Sequence, residues 1–247
     1  MPDRVDILGV PMDCVTMSSA VEAVDTLVQG DSPRAIIAVN PEKIMKARHD
    51  ANLLHAIQGA GLLIPDGIGA VIAARLLWHK RLQRVPGSEL MPAICDLAQR
   101  KGYTVYLYGA APEVNRVAEA RLRSLYPNLR IVGAQDGYVP ESRMDEVIEA
   151  INNSGAQILF VALGSPRQEL WMGKYLHRLQ VKVCQGVGGT FDVLAGKVRR
   201  APKLFCVLNL EWLYRLLSQP ARLIRQTALP LFAMRVVREK LTVLRSS

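Results

Sequence analysis

Strand-like and helix-like segments alternate along residues 1–196, and few folds accept that pattern. Short β-like runs fall at RVDILGV (4–10), RAIIAVN (34–40), GLLIPD (61–66), YTVYLYG (103–109), LRIVGA (129–134), QILFVALG (157–164) and VKVCQGVGG (181–189). The central runs are continuously apolar, as strands covered on both faces must be. Between them, SSAVEAVDTLVQG (18–30) opens with Ser and closes with Gly, the residues that cap helices. PEVNRVAEARLRSLYP (112–127) starts on a first-turn proline and spaces Val114, Val117, Ala118, Leu122 and Leu125 along one helical face. SRMDEVIEAINNSG (142–155) does the same with Met144, Val147, Ile148 and Ile151. Such alternation predicts an α/β domain, a Rossmann-like and largely parallel sheet flanked by helices. Ligands of such sheets bind beyond the C-terminal strand ends. Asn40, Asp66 and the glycines around Val187 fall there.

The pattern changes near residues 196–203. The remainder is helical, apolar and basic, broken by Pro220 and Pro230, with Ser218 and Pro220 suggesting a cap and a helix restart. The expected organisation is therefore an α/β core over 1–196 and a basic helical appendage over 197–247. Charge divides at the same place. The core carries equal numbers of acidic and basic residues, so the whole net charge of +9 belongs to the last 51 residues. A solvated surface helix mixes both signs. A one-sign segment, with Arg215, Arg222 and Arg225 set among Trp212, Tyr214, Leu216, Leu217, Leu223 and Ile224, favours an anionic partner such as a phosphate or an anionic lipid surface. The competing reading is that the apolar residues join the core and the arginines only solubilise it.

Other classes are excluded or weakened by what the chain lacks. No apolar run approaches the roughly 18 residues that span a bilayer. Cys14, Cys95, Cys184 and Cys206 form no C-x-x-C pair, and the four histidines show no zinc spacing, so reduced thiols in a cytosolic protein without a metal are expected. Aromatic residues make up only 6%, too few for a stacking platform on single-stranded nucleic acid. GVGGTFD (186–192) is not a dinucleotide fingerprint, because its third glycine would fall at Phe191, and no Walker loop follows it.

Four stretches carry candidate chemistry, each with a plainer structural use. Asp66 in LLIPDGIGAV (62–71) is either a helix cap or a proton-accepting carboxylate at the mouth of a site. Asn40 before Pro41 is either a cap or a fixed amide in a pocket. Gln168 in GSPRQELW (164–171) is either a solvated first-turn residue or an amide that donates to and accepts from sugar hydroxyls. Gly186, Gly188, Gly189 and Thr190 form either a tight turn or a loop whose backbone N–H groups approach a ligand. Asp192 reads better as a cap than as a hydroxyl ligand.

VNPEK, PDGIG, RVPGSEL, GYVP, VALGSPRQELW, GVGGTFDVLAGKVRRAP and LEWLYRLLSQPAR, in this order and over nearly the whole chain, resemble the WecG/TagA/CpsF glycosyltransferases, glycosyltransferase family 26. The resemblance implies transfer of an N-acetylhexosamine, or its uronic acid, from a UDP-sugar to a polyprenyl-diphosphate-linked sugar. It implies inversion at the anomeric carbon, no cofactor and no required metal. It also implies an appendage at the inner face of the cell membrane. TagA-like members move N-acetylmannosamine onto undecaprenyl-diphosphate-N-acetylglucosamine, for wall teichoic acid. WecG-like members move N-acetylmannosaminuronic acid. By motif match Asp66 falls on the proposed base, Asn40, Gln168 and Arg84 on pocket positions, and Arg215, Arg222 and Arg225 on arginines expected to close over the diphosphate. Many TagA-like members carry threonine where this chain has Ala38, which leaves the exact sugar open. The oligomeric state is also open, a homo-oligomer being allowed.

Overall fold

The computed structural model describes residues 2–198, 201–202, 205, 213–214 and 227–246. Six parallel strands form its centre, in the order β4 (Leu62–Pro65), β3 (Arg34–Val39), β8 (Val183–Gly186), β7 (Ile158–Ala162), β5 (Thr104–Gly109) and β6 (Arg130–Gln135). Every pairing within this sheet is parallel. The α/β expectation therefore holds. Consecutive strand residues point to opposite faces, and both faces are buried. Ala35, Ile37, Val39, Leu63, Leu159 and Val161 enter one apolar layer. Ile36, Leu62, Ile64, Leu107, Ile158 and Phe160 enter the other. This is why the strands read as unbroken apolar runs.

The first layer is closed by α2 (Pro41–Ala47), α3 (Ala51–Gln58), α4 (Ile68–Trp78), α7 (Met144–Asn153) and α8 (Arg167–Tyr175). The second is closed by α1 (Met17–Val28), α5 (Gly87–Lys101), α6 (Pro112–Leu125) and the short α9 (Thr190–Leu194). Local chemistry sets these helices. Thr16, rather than Ser18, caps α1, in a reciprocal box with Ser19. Pro112 opens α6 at a first-turn position, as its spacing predicts.

Two expectations are corrected. RVDILGV is not one strand. Leu8 and Gly9 both take positive φ (57° and 86°), and the chain folds into an antiparallel hairpin of β1 (Arg4–Ile7) and β2 (Val10–Asp13), apart from the main sheet. The buried Asp13 carboxylate accepts from the backbone N–H of Leu63 (2.7 Å), so the hairpin satisfies part of the open edge of β4. The second correction concerns Pro230. It does not break the last helix but sits in the first turn of α10 (Ala228–Ser246), where its missing N–H removes no helical bond. Helix α10 packs on α2 and α4. Ser218 and Pro220 lie outside the described residues.

Candidate active site

Strands β3 and β8 part company at their C-terminal ends. Pairing of β3 with β8 runs from Arg34↔Val183 to Ile36↔Gln185 and stops there. β3 continues beside β4 as far as Val39↔Pro65, while Val187 stays bonded to Val161 of β7. The opening between them is a cleft of about 580 Å³. Its position is the one an open parallel sheet offers to a ligand.

Strand-end loops supply the polar floor. Asp66 follows β4 directly, and its N–H donates to the Val39 carbonyl at 2.8 Å, which carries the β3–β4 ladder one step into the loop. Gly67, not Asp66, occupies the cap position of α4, at a φ of +106° that few other residues adopt. The half-buried Asp66 thus lines the cleft with no capping position of its own. Asn40 ends β3 and does cap α2, its Oδ1 accepting from Lys43 N–H at 2.8 Å. It also lines the cleft, so the capping role and a place at the cleft belong to the same residue. Arg84 lines the cleft from the loop before α5, which is tethered by the Val85 N–H to the Pro65 carbonyl (2.8 Å).

Gln168 is buried at the start of α8. Its Oε1 accepts from the Gly188 N–H and its Nε2 donates to Glu169, both at 2.9 Å. Much of its hydrogen-bonding capacity therefore holds the protein together. Gly186 lies so close that a Cβ there would come within 2.6 Å of Gln168 Nε2. Gly186, Gly188, Gly189 and Thr190 all line the cleft, the Thr190 hydroxyl donating to the Val187 carbonyl at 2.7 Å. Asp192 is the one core candidate outside the lining. It is not the cap expected of it either: Gly189 holds the cap position of α9, and Asp192 sits in the first turn, where an acid suits a helix N-terminus. Arg215, Arg222 and Arg225 lie outside the described residues.

Two contributors escape a reading of the sequence. Lys43 is 4% exposed, lines the cleft, and donates to Glu169 Oε1 at 2.6 Å and to the Ala38 carbonyl at 2.7 Å. Burial pushes the Glu169 carboxyl up, but the Lys43 ammonium and the bonds from Lys43 and Gln168 outweigh it and hold the group below its ordinary value. Their separation of 126 residues left no local signal. The other contributor is an apolar wall, formed by Ile72 and Leu76 of α4 with Phe232, Val236 and Val237 of α10. Among the described residues no three His, Cys, Asp or Glu side chains gather as metal ligands.

A carboxylate, two amides, an arginine and a glycine loop thus surround one cleft at the strand ends of an open parallel α/β sheet. The chain matches the glycosyl transferase WecG/TagA/CpsF family over residues 5–246 and belongs to that family. Over 205 residues it is 37% identical to the N-acetylglucosaminyldiphosphoundecaprenol N-acetyl-beta-D-mannosaminyltransferase of Bacillus spizizenii strain W23, a match that covers 83% of this chain and 79% of that one.

Proposed function

We propose that this glycosyltransferase moves N-acetylmannosamine from its UDP donor to undecaprenyl-diphosphate-linked N-acetylglucosamine, with inversion and without a metal, at the inner face of the bacterial membrane. One observation carries the reading: Asp66, Asn40, Arg84 and Gln168, far apart in sequence, line a single cleft. The relative's name supplies the sugar and the acceptor.

An acceptor hydroxyl is a weak nucleophile near neutral pH. A carboxylate within hydrogen-bond reach takes its proton as the bond to the anomeric carbon forms. One base suffices for a single inverting displacement, and Asp66 is that base. Negative charge then grows on the departing UDP. Arg84 and, from the appendage, Arg215, Arg222 and Arg225 are the groups assigned to stabilise it; the glycine-loop N–H groups of Val187, Gly188 and Thr190 are already held by Val161, Gln168 and Val187.

The lipid-linked acceptor suits the outer surface. Ile72, Leu76 and Trp78 of α4 and Leu231, Met234, Val237 and Leu241 of α10 stay 41–62% exposed. They continue the apolar wall of the cleft outward, and those of α10 lie on the segment that carries the net positive charge. No described helix is long and apolar enough to cross a membrane.

The test is a donor screen with a short-chain lipid-diphosphate acceptor, comparing UDP-N-acetylmannosamine, its uronic acid and UDP-N-acetylglucosamine. Turnover with the first is expected. Preference for the uronic acid would replace the donor assignment, and inertness with all three would overturn the reading. Asp66→Ala is expected to lower kcat by about 10²- to 10⁴-fold, the range for a positioned general base. Near-normal turnover by that folded variant would remove Asp66 as the base.

A further inference from the structure

A chain of side-chain hydrogen bonds spans the gap where β3 and β8 separate. It starts at the Ala38 carbonyl on β3, passes through Lys43 Nζ (2.7 Å) to Glu169 Oε1 (2.6 Å), continues to Gln168 Nε2 (2.9 Å), and ends at Gln168 Oε1 on the Gly188 N–H after β8 (2.9 Å). Backbone pairing between the two strands has already stopped at Ile36↔Gln185. We propose that Lys43 and Glu169 are positioning residues that set the width of the cleft. They act on the ligand through Asn40, which shares the first turn of α2 with Lys43, and through the Gly188 loop, which Gln168 holds.

Stability alone is a poor explanation for the pair. Lys43 is 4% exposed and Glu169 fully buried, so both charges have lost their water. Glu169 Oε1 takes the bonds from Lys43 and Gln168, while Oε2 is buried with no partner in hydrogen-bond geometry among the described residues, the Ser165 hydroxyl acting on the carboxylate only as a nearby donor. A half-satisfied buried ion pair contributes little that well-packed apolar side chains of similar size would not match. What an apolar pair cannot supply is a directional link from one strand end to the other. Without Glu169, the Gln168 amide loses the acceptor that fixes its orientation, and the Gly188 N–H loses a fixed partner.

The inference rests on the reading of the cleft as a nucleotide-sugar site. It is tested by calorimetric titration with UDP and by thermal unfolding of the full chain, as wild type, Glu169→Gln, Lys43→Met and the double variant Lys43→Met/Glu169→Met. Each single variant is expected to unfold at lower temperature, because it strands a buried polar partner. The double variant is expected to regain the wild-type midpoint, yet to bind UDP about 10- to 100-fold more weakly, as when outer partners of site residues are lost. Steady-state kinetics of the double variant should show kcat falling as well as KM rising. A stable double variant with wild-type UDP affinity would overturn the inference alone. So would a double variant less stable than either single one, since the pair would then be a stabilising element. A wild-type protein that ignores UDP would overturn the donor reading and this inference with it.

Discussion

Asp66 owes its place to backbone bonds made by its neighbours. The Asp66 N–H is tied to Val39, and Pro65 just before it holds Val85, so three loops meet around one carboxylate. The same economy applies to Gly186, where the side chain of Gln168 fills the space a Cβ would need. Gly186→Ala should therefore cost about 1–3 kcal/mol by overpacking. It should weaken UDP binding as well, because the displaced amide no longer holds Gly188; urea unfolding and calorimetry would measure the two effects. Glu169 gives a pH signature. Its folded-state pKa lies below the ordinary value of 4.5, so its contribution to stability is complete above that pH and is lost as the pH falls through the lower, folded value. In Glu169→Gln the acid limb of the stability curve below pH 4.5 should flatten relative to wild type, as read from unfolding midpoints across the acid range.

Secondary-structure elements differ in how far their own residues determine them. Helix α1 is set locally by the Thr16–Ser19 box and by Ala20, Val24 and Val28 on its buried face. Thr16→Ala should cost about 1 kcal/mol in urea unfolding without touching the cleft. Helix α10 is set by docking. Phe232 and Val236 are buried against the core while Met234, Val237 and Leu241 of the same helix are exposed. Phe232→Ala should release α10 selectively, raising its amide hydrogen exchange while the exchange of β3, β7 and β8 stays slow. Uniformly faster exchange across the sheet would instead make α10 part of one cooperative unit with the core.

At the scale of the whole molecule, charge and apolar exposure fall on the same C-terminal segment. A net-neutral core carries a basic segment whose last helix lies beside the cleft and leaves a row of large apolar side chains in solvent. Met234→Asp/Leu241→Asp, on residues outside the cleft lining, should abolish co-flotation with anionic liposomes while UDP affinity stays at the wild-type value. Unchanged flotation would place the membrane contact elsewhere. High salt should weaken flotation of the wild type too, since the attraction of lysine and arginine to anionic lipid is screened within a Debye length.

The α/β class, the parallel sheet and the strand-end position of Asp66, Asn40, Gln168 and the glycine loop were legible in the sequence. They follow from local rules: continuous apolar runs for doubly covered strands, 3.6-residue spacing for helices, and loops where those patterns end. The resemblance of ordered motifs added the glycosyltransferase family. Strand order, the splitting of β3 from β8, the Lys43–Glu169 pair and the docking of α10 were decided only by the tertiary structure. Each depends on contacts between residues distant along the chain, and neither propensity nor periodicity carries information about which distant partners meet.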